Sequence, residues 1–414
     1  MSGKLKDSPI WQLSLGCFIL AALTGMLYRV SMLGVPNGGL SLKNIRHAHS
    51  HLMFFGWAVP FPSYILWTHI QKGYNTGHLG FQWMKVGIYG EMIAGLLAYP
   101  FFLLYGYQTV PVWAASLPIA AMLSGMVMLF WYVYIFGYCK KRQYLDARIR
   151  PLSDAALLLL FICSLGAWGI APVQLFGAGK QLLMSGILHF FLSSFTEGWV
   201  VLILLYILTD HLFKKELIHD SVPIIPLIFI ALGAPLTFPF GMPEYLLSPL
   251  LLVIARLGGL FSAIGLLWIL VFLLRRGSQW SFFWECTAGL LAFKAVMQFI
   301  ASTAPATLWM RDHGLQIFYL HTLLLGALSL TFLGWIRIEA RLSKGYFRMI
   351  VAAVGIMLIS LVFTTRIWPG SWSGIWIGYT LAVAALLPIL SVSMLWAAAR
   401  NAKKCSVRNG RHKE

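Results

Sequence analysis

Acidic residues are scarce in this chain: 13 Asp and Glu stand against 31 Lys and Arg among 414 residues, and charged residues together make up only 11%. A soluble domain carries about a quarter charged residues, so one ordinary water-soluble domain is excluded. Cysteine is scarce too. Cys17, Cys139, Cys163, Cys286 and Cys405 are scattered without a CxxC pair, which points to neither a zinc site nor a disulfide framework; they read as small apolar residues. Long linkers and low-complexity segments are also missing. The longest polar stretches, 139–151 and 400–414, read as a cytoplasmic loop and a basic cytoplasmic tail, and residues 1–414 are expected to form a single integral membrane domain.

What fills the chain instead is apolar: 59% of the residues are hydrophobic. Runs of about 20 apolar residues, each long enough to cross a hydrocarbon core about 30 Å thick, recur along nearly the whole length. Hydropathy predicts spans near 10–33, 46–69, 83–106, 110–138, 152–176, 182–208, 222–240, 246–274, 281–301, 309–336, 347–366 and 373–399. The expected fold class is therefore all-α, a polytopic membrane protein with twelve spans. The first run has no small-residue cleavage site and is read as a retained helix rather than a signal peptide. Pro60, Pro62, Pro118, Pro235, Pro239 and Pro388 fall within spans, where neighbouring helices can satisfy the freed backbone groups, so they signify kinks.

The formal charge of +18 is an orientation signal. With a cytoplasmic N-terminus, the inside loops hold Lys140, Lys141, Arg142, Arg148, Arg150, Lys214, Lys215, Arg275, Arg276, Arg337, Arg341, Lys344, Arg348 and the basic tail. The outside loops hold only Lys43, Arg46, Lys180, Arg311 and Arg366. This bias places both termini inside a multi-pass protein of the cytoplasmic (inner) membrane, whose environment is the lipid bilayer, and removes the reason to invoke nucleic acid.

Under that orientation the membrane-embedded histidines gather in the outer half of the bilayer. His47, His49 and His51 open the second span, His189 lies in the sixth, and His313 and His321 lie in the tenth; His69, His78, His211, His219 and His412 fall on the inner side. At 100° per residue His47 and His51 share a helix face while His49 points nearly the opposite way, so all three cannot bind one iron. Neutral imidazoles from two helices can hold a haem between them.

The chain resembles subunit I of the haem–copper oxidase superfamily, which includes terminal oxidases and nitric oxide reductases. The twelve-span layout carries the resemblance over most of the chain, joined by short local motifs. His49-Ser50-His51-Leu52-Met53-Phe54-Phe55 followed by Pro60 is similar to the family's low-spin-haem helix, and His321-Thr322-Leu323-Leu324-Leu325-Gly326 is similar to its tenth-helix segment. The resemblance implies a b-type haem with His49 as one axial ligand and His321 as the other. His51-Leu52-Met53-Phe54-Phe55-Gly56 has the same spacing as the His321 segment, so His51 stands as a rival to His49.

Departures from the family pattern are equally specific. The high-spin-haem histidine, two positions before the low-spin ligand, is replaced by Tyr319, and the seventh span has no histidine. His189 matches the sixth-span metal position by location, but one imidazole makes a poor copper site. The resemblance therefore implies the scaffold and one haem, with the copper of a binuclear centre in doubt. His189 and Glu197 are offset by about 80° on an ideal helix and do not readily chelate one ion.

Four further charges lie within spans: Glu91, Glu197, Arg256 and Lys294. Each requires a partner or water. Arg256, at the depth of His189 and His321, is expected to neutralise a haem propionate, with Arg46 and Arg311 able to serve likewise at the rim. Glu197, Glu91 and Lys294 are candidates for a proton relay, although a structural ion pair is the expected role of Glu91 and Lys294. Two functions remain: a haem protein for electron transfer or nitric oxide and oxygen handling, served by respiratory-chain subunits or another electron donor, and a proton-coupled transporter using the intramembrane His and Glu residues. A transporter is expected to show internal repeats and paired broken helices.

Overall fold

In the computed structural model, residues 9–72, 79–113, 115–176, 180–276, 281–305 and 309–410 are described; His78 and His412 lie outside them. Twelve long helices account for most of the described residues: α1 (Ile10–Met32), α2 (42–72), α3 (Leu79–Tyr105), α4 (Ile119–Lys141), α5 (Arg150–Phe176), α6 (Gln181–Lys214), α7 (Ile224–Leu236), α8 (Pro249–Arg276), α9 (Phe282–Thr303), α10 (His313–Glu339), α11 (Lys344–Val362) and α12 (Trp376–Gly410). Among the described residues, ten helices are long and apolar enough to cross a membrane. The chain is a multi-pass helical membrane protein.

Two expected spans need correction. The seventh, expected over 222–240, is helical only over Ile224–Leu236, 13 residues and too short to cross a membrane. The fourth was expected to begin at residue 110, but Val110–Val112 (β1) and Ala115–Leu117 (β2) pair antiparallel, and α4 begins only at Ile119. Hydropathy could not separate the two, since Val110, Val112, Ala115 and Leu117 are as apolar as a span. Pro111 and Pro118 oppose helix at both ends of the hairpin, and Trp113 turns its tip with a φ of 53°.

The chain divides into two compact units, one of residues 1–138 and 329–414, the other of residues 139–328. In the first, α1 packs on α2 and α12, and Gly56 of α2 meets the Cys17 side chain of α1 so closely that a Cβ there would lie 2.8 Å from Sγ. In the second, the backbones of α7 and α8 touch at Gly233 and Gly258. Small residues at such crossings allow the close packing that associates helices where no hydrophobic driving force exists between them.

Three helices are enclosed on all sides over long stretches: 54–66 of α2, 193–210 of α6 and 326–334 of α10 are buried at every residue. A helix that is apolar all round belongs in such a place. Each of the three also carries a π-helical turn, at Phe54–Ala58, Ser194–Val200 and Thr322–Leu328. In α2 the wide turn is closed by the Val59 N–H on the Phe54 carbonyl at 3.2 Å. Every one of these turns contains a glycine, and His51 and Gly56, Ser193 and Gly198, and His321 and Gly326 each stand five residues apart. The fold thus repeats one local device in its second, sixth and tenth helices.

Candidate functional site

π-Helical turns often mark functional positions, and the residues beside these three hold most of the chemistry. In α2, His49 faces α1. Its Nδ1 donates to the Ala21 carbonyl at 2.7 Å, and since a carbonyl can only accept, the proton is on Nδ1 and the lone pair on Nε2. One turn further along α1, Gly25 makes room for the ring: a Cβ there would lie 2.9 Å from its Cε1. Such a hydrogen bond through the other ring nitrogen is how proteins orient a metal-ligating imidazole.

His51 is differently committed. Its Nδ1 donates to the His47 carbonyl at 2.9 Å, which again leaves the lone pair on Nε2, but here the Tyr107 hydroxyl donates to Nε2 at 2.7 Å. The ring also stacks on Phe102 with centroids 4.0 Å apart. Tyr107 reaches this position because Gly106 turns the chain after α3 with a φ of 61°, against Asn44, whose Nδ2 donates to the Leu104 carbonyl. His47 lies edge-on to Tyr107 and to His51, and its buried Nε2 has no hydrogen-bond partner among the described residues. The rivalry between His49 and His51 has a physical basis for decision: His51 has both nitrogens engaged by protein groups.

His321 ends the α-helical first part of α10, and its Nδ1 donates to the Ile317 carbonyl at 2.8 Å, fixing the same tautomer as in His49. Two residues earlier, the Tyr319 hydroxyl donates to Glu197 Oε1 at 2.6 Å. Glu197, in the π turn of α6, also pairs with Lys294 of α9, whose ammonium donates to Gln298 Oε1 at 2.6 Å. Lys294 is fully buried and Glu197 nearly so. Lys294 thus has the structural ion pair expected of it, with Glu197 as partner. For Glu91 no ion pair is found among the described residues; it is buried in α3, in the other unit, and its Oε1 has no hydrogen-bond partner there.

The remaining candidates are spread out. His189 sits in the α-helical part of α6 with its ring pressed on Gly241, where no Cβ would fit. Among the described residues no group of three or more His, Cys, Asp or Glu is arranged to hold a metal ion. Arg256 donates to the Ala304 carbonyl at 3.2 Å, a cation at the C-terminal end of α9, while its buried Nε has no hydrogen-bond partner among the described residues. Arg311, expected to be able to face a propionate, is instead engaged by Glu244 in a two-point ion pair of 2.6 and 3.0 Å.

That exposed pair has a pH signature. The Arg311 guanidinium holds the Glu244 carboxyl below its ordinary value of 4.5. A depressed carboxylate pKa gives stability that is present above the ordinary value and lost as the pH falls through the folded one. The stability difference between the protein and an Arg311→Gln variant is expected to be full near neutrality and to close below about 4.5, and added salt should shrink it because both groups face solvent. Thermal melts across pH check this, and a gap that widens in acid would contradict it.

The fold and these side chains define a class: a polytopic helical membrane protein with tautomer-fixed histidines and a buried carboxylate–ammonium pair beside π turns in its enclosed helices. Comparison with protein-family models gives no match, and comparison with curated proteins finds no similar sequence. Sequence reasoning missed Tyr107, Gln298, Ala21 and Gly25. A backbone carbonyl and a glycine leave no signal that points to a distant histidine. Tyr319 was noticed as a substitution, but not as a partner of Glu197.

Proposed function

We propose that this chain is a haem-binding protein of the cytoplasmic membrane, with both termini cytoplasmic, on a scaffold like that of subunit I of the respiratory oxidases and nitric oxide reductases. On that resemblance, His49 and His321 are the residues that would hold one b-type haem. The observation that carries this reading is His49, whose Nδ1–H is anchored on the Ala21 carbonyl beside the space left by Gly25, so that Nε2 keeps its lone pair. An imidazole so anchored is a more basic and better oriented ligand. A haem held there would supply one-electron redox chemistry, with a potential set by ligands, hydrogen bonding and burial.

The other residues take supporting roles. Arg256 would neutralise a propionate through the donors it does not use on Ala304. Tyr319 stands where the family has its second haem ligand and is tied to Glu197, which in turn is held by Lys294. That arrangement favours electron transfer or nitric oxide and oxygen handling at a single haem, without a complete haem–copper centre at His189. Glu197, Lys294 and Glu91 are the groups through which protons would be held or passed.

A second reading rests on the same buried pair. Intramembrane Glu and Lys residues are costly to bury and commonly mark ion pathways, so a proton-coupled transporter would use Glu197 and Lys294. A visible spectrum of the purified protein separates the two. Sharp reduced-minus-oxidised bands that vanish in His321→Ala support the haem protein. A colourless product after expression with ample haem would overturn it in favour of the transporter, and stoichiometric copper would overturn the reading that the binuclear centre is incomplete.

A further inference from the structure

A crevice of about 390 Å³ opens in the second unit among Ala147, Arg148, Ser221, Ile225 and Trp268, with Pro151 and Val222–Ile224 completing its wall. It belongs neither to the histidines nor to the Glu197 cluster. Its walls are mainly apolar, and several face outward: Ile224 is 61% exposed, Ile225 57% and Trp268 45%. Trp268 is set there by a close crossing, since a Cβ on Gly265, one turn earlier in α8, would lie 2.6 Å from the Pro226 carbonyl at the start of α7. From the crevice an exposed apolar stripe continues down α7 through Ile224, Ile228 and Leu232, at the spacing of one helix face.

At the polar end stands a guanidinium held in place on three sides. Arg148 donates through Nε and Nη2 to Asp146, through Nη1 to the His219 carbonyl at 3.2 Å, and its own carbonyl accepts from the Val222 N–H at 3.2 Å. Its central carbon lies over the Phe213 ring, 4.6 Å from the centroid. Of five N–H groups on a guanidinium, these contacts leave one on Nη1 and one on Nη2. The Ser221 hydroxyl lines the same opening. The loop that carries Arg148 is strongly cationic, with Lys140, Lys141, Arg142, Arg148 and Arg150 against Asp146 alone.

We propose that this crevice is a binding site for an anionic phospholipid. The headgroup phosphate takes the two remaining Arg148 N–H donors and the Ser221 hydroxyl, while an acyl chain lies against Trp268 and the Ile224–Ile228–Leu232 stripe. Charge complementarity chooses the occupant: basic pockets between spans at the cytoplasmic face suit acidic headgroups, and the outward apolar walls suit a chain rather than a free anion. The proposal rests on the membrane class of the protein and on the cytoplasmic orientation proposed above for this face, and is independent of haem.

The test uses the full chain purified in detergent and offered equal amounts of phosphatidylglycerol and phosphatidylcholine, with bound lipid counted by native mass spectrometry. The protein is expected to retain phosphatidylglycerol about fivefold over phosphatidylcholine, the preference that one cationic side chain near the membrane surface provides. Arg148→Gln is expected to bring the ratio close to one. Ala147→Phe, which fills the crevice and keeps every charge, is expected to remove retention of the lipid with an unchanged melting profile. Equal retention of the two lipids by the unaltered protein would overturn the proposal, as would undiminished retention in Ala147→Phe or displacement of the lipid by inorganic phosphate alone. Should Arg148→Gln fail to fold, Ala147→Phe decides the matter.

Discussion

His49→Ala is expected to abolish the haem spectrum of the purified protein, while His51→Ala leaves the reduced-minus-oxidised bands in place with altered position or intensity. Both residues satisfy the same sequence motif; the hydrogen bonds distinguish them. In each ring the proton sits on Nδ1, so iron could be met only by Nε2. For His51 that atom already accepts from Tyr107, so coordination would first have to displace that hydrogen bond. For His49 the bond to Ala21 holds Nδ1 and so leaves the ligand function to Nε2. Loss of the bands in His51→Ala and their survival in His49→Ala would reverse the assignment. Retention in both would remove the second helix from the haem reading.

Glu197→Ala and Lys294→Ala are each expected to destabilise the protein by about 3–5 kcal/mol, the usual result of removing one member of a buried ion pair. Among the described residues, the Lys294 ammonium keeps only Gln298 as an acceptor when Glu197 is gone, and the Glu197 carboxylate keeps only the Tyr319 hydroxyl when Lys294 is gone. The combined Glu197→Gln, Lys294→Met protein is expected to recover most of the loss, because no charge is then left without its partner. Denaturant or thermal melts in detergent give the comparison. Single variants as stable as the parent would show that the pair is hydrated rather than buried. The three residues come from α6, α9 and α10, so the same substitutions test what ties these helices together.

Much of the architecture was legible because hydrophobic length is a strong signal. Each expected span contains a helix, but among the described residues ten helices are long and apolar enough to cross a membrane: the seventh is helical only over Ile224–Leu236, and the first nine residues of the fourth hold a proline-flanked hairpin with the hydropathy of a helix. Side-chain geometry was legible only where the helix is regular. His47, His49 and His51 precede the π turn of α2, and the 100° spacing does place His47 with His51 and turn His49 to α1. His189 and Glu197 lie on either side of the start of such a turn in α6, so the ideal-helix angle between them does not hold. Nor could spacing reveal that Glu197 meets Lys294 and Tyr319, residues 97 and 122 positions away. Contacts of that range depend on which helices become neighbours, and the apolar faces that decide it are nearly uniform in composition.

The wide turns also bear on how this chain should be compared with others. A π turn is an α-helix carrying one residue more than its pitch requires, so a homologue can lose that residue and keep every span in place. Alignments that forbid gaps inside hydrophobic helices will then drift by one position beyond Phe54–Ala58, Ser194–Val200 and Thr322–Leu328. Matching residues beyond each turn would be offset by about 100° around the helix axis. A single-residue gap at each of these three places is the correct starting register.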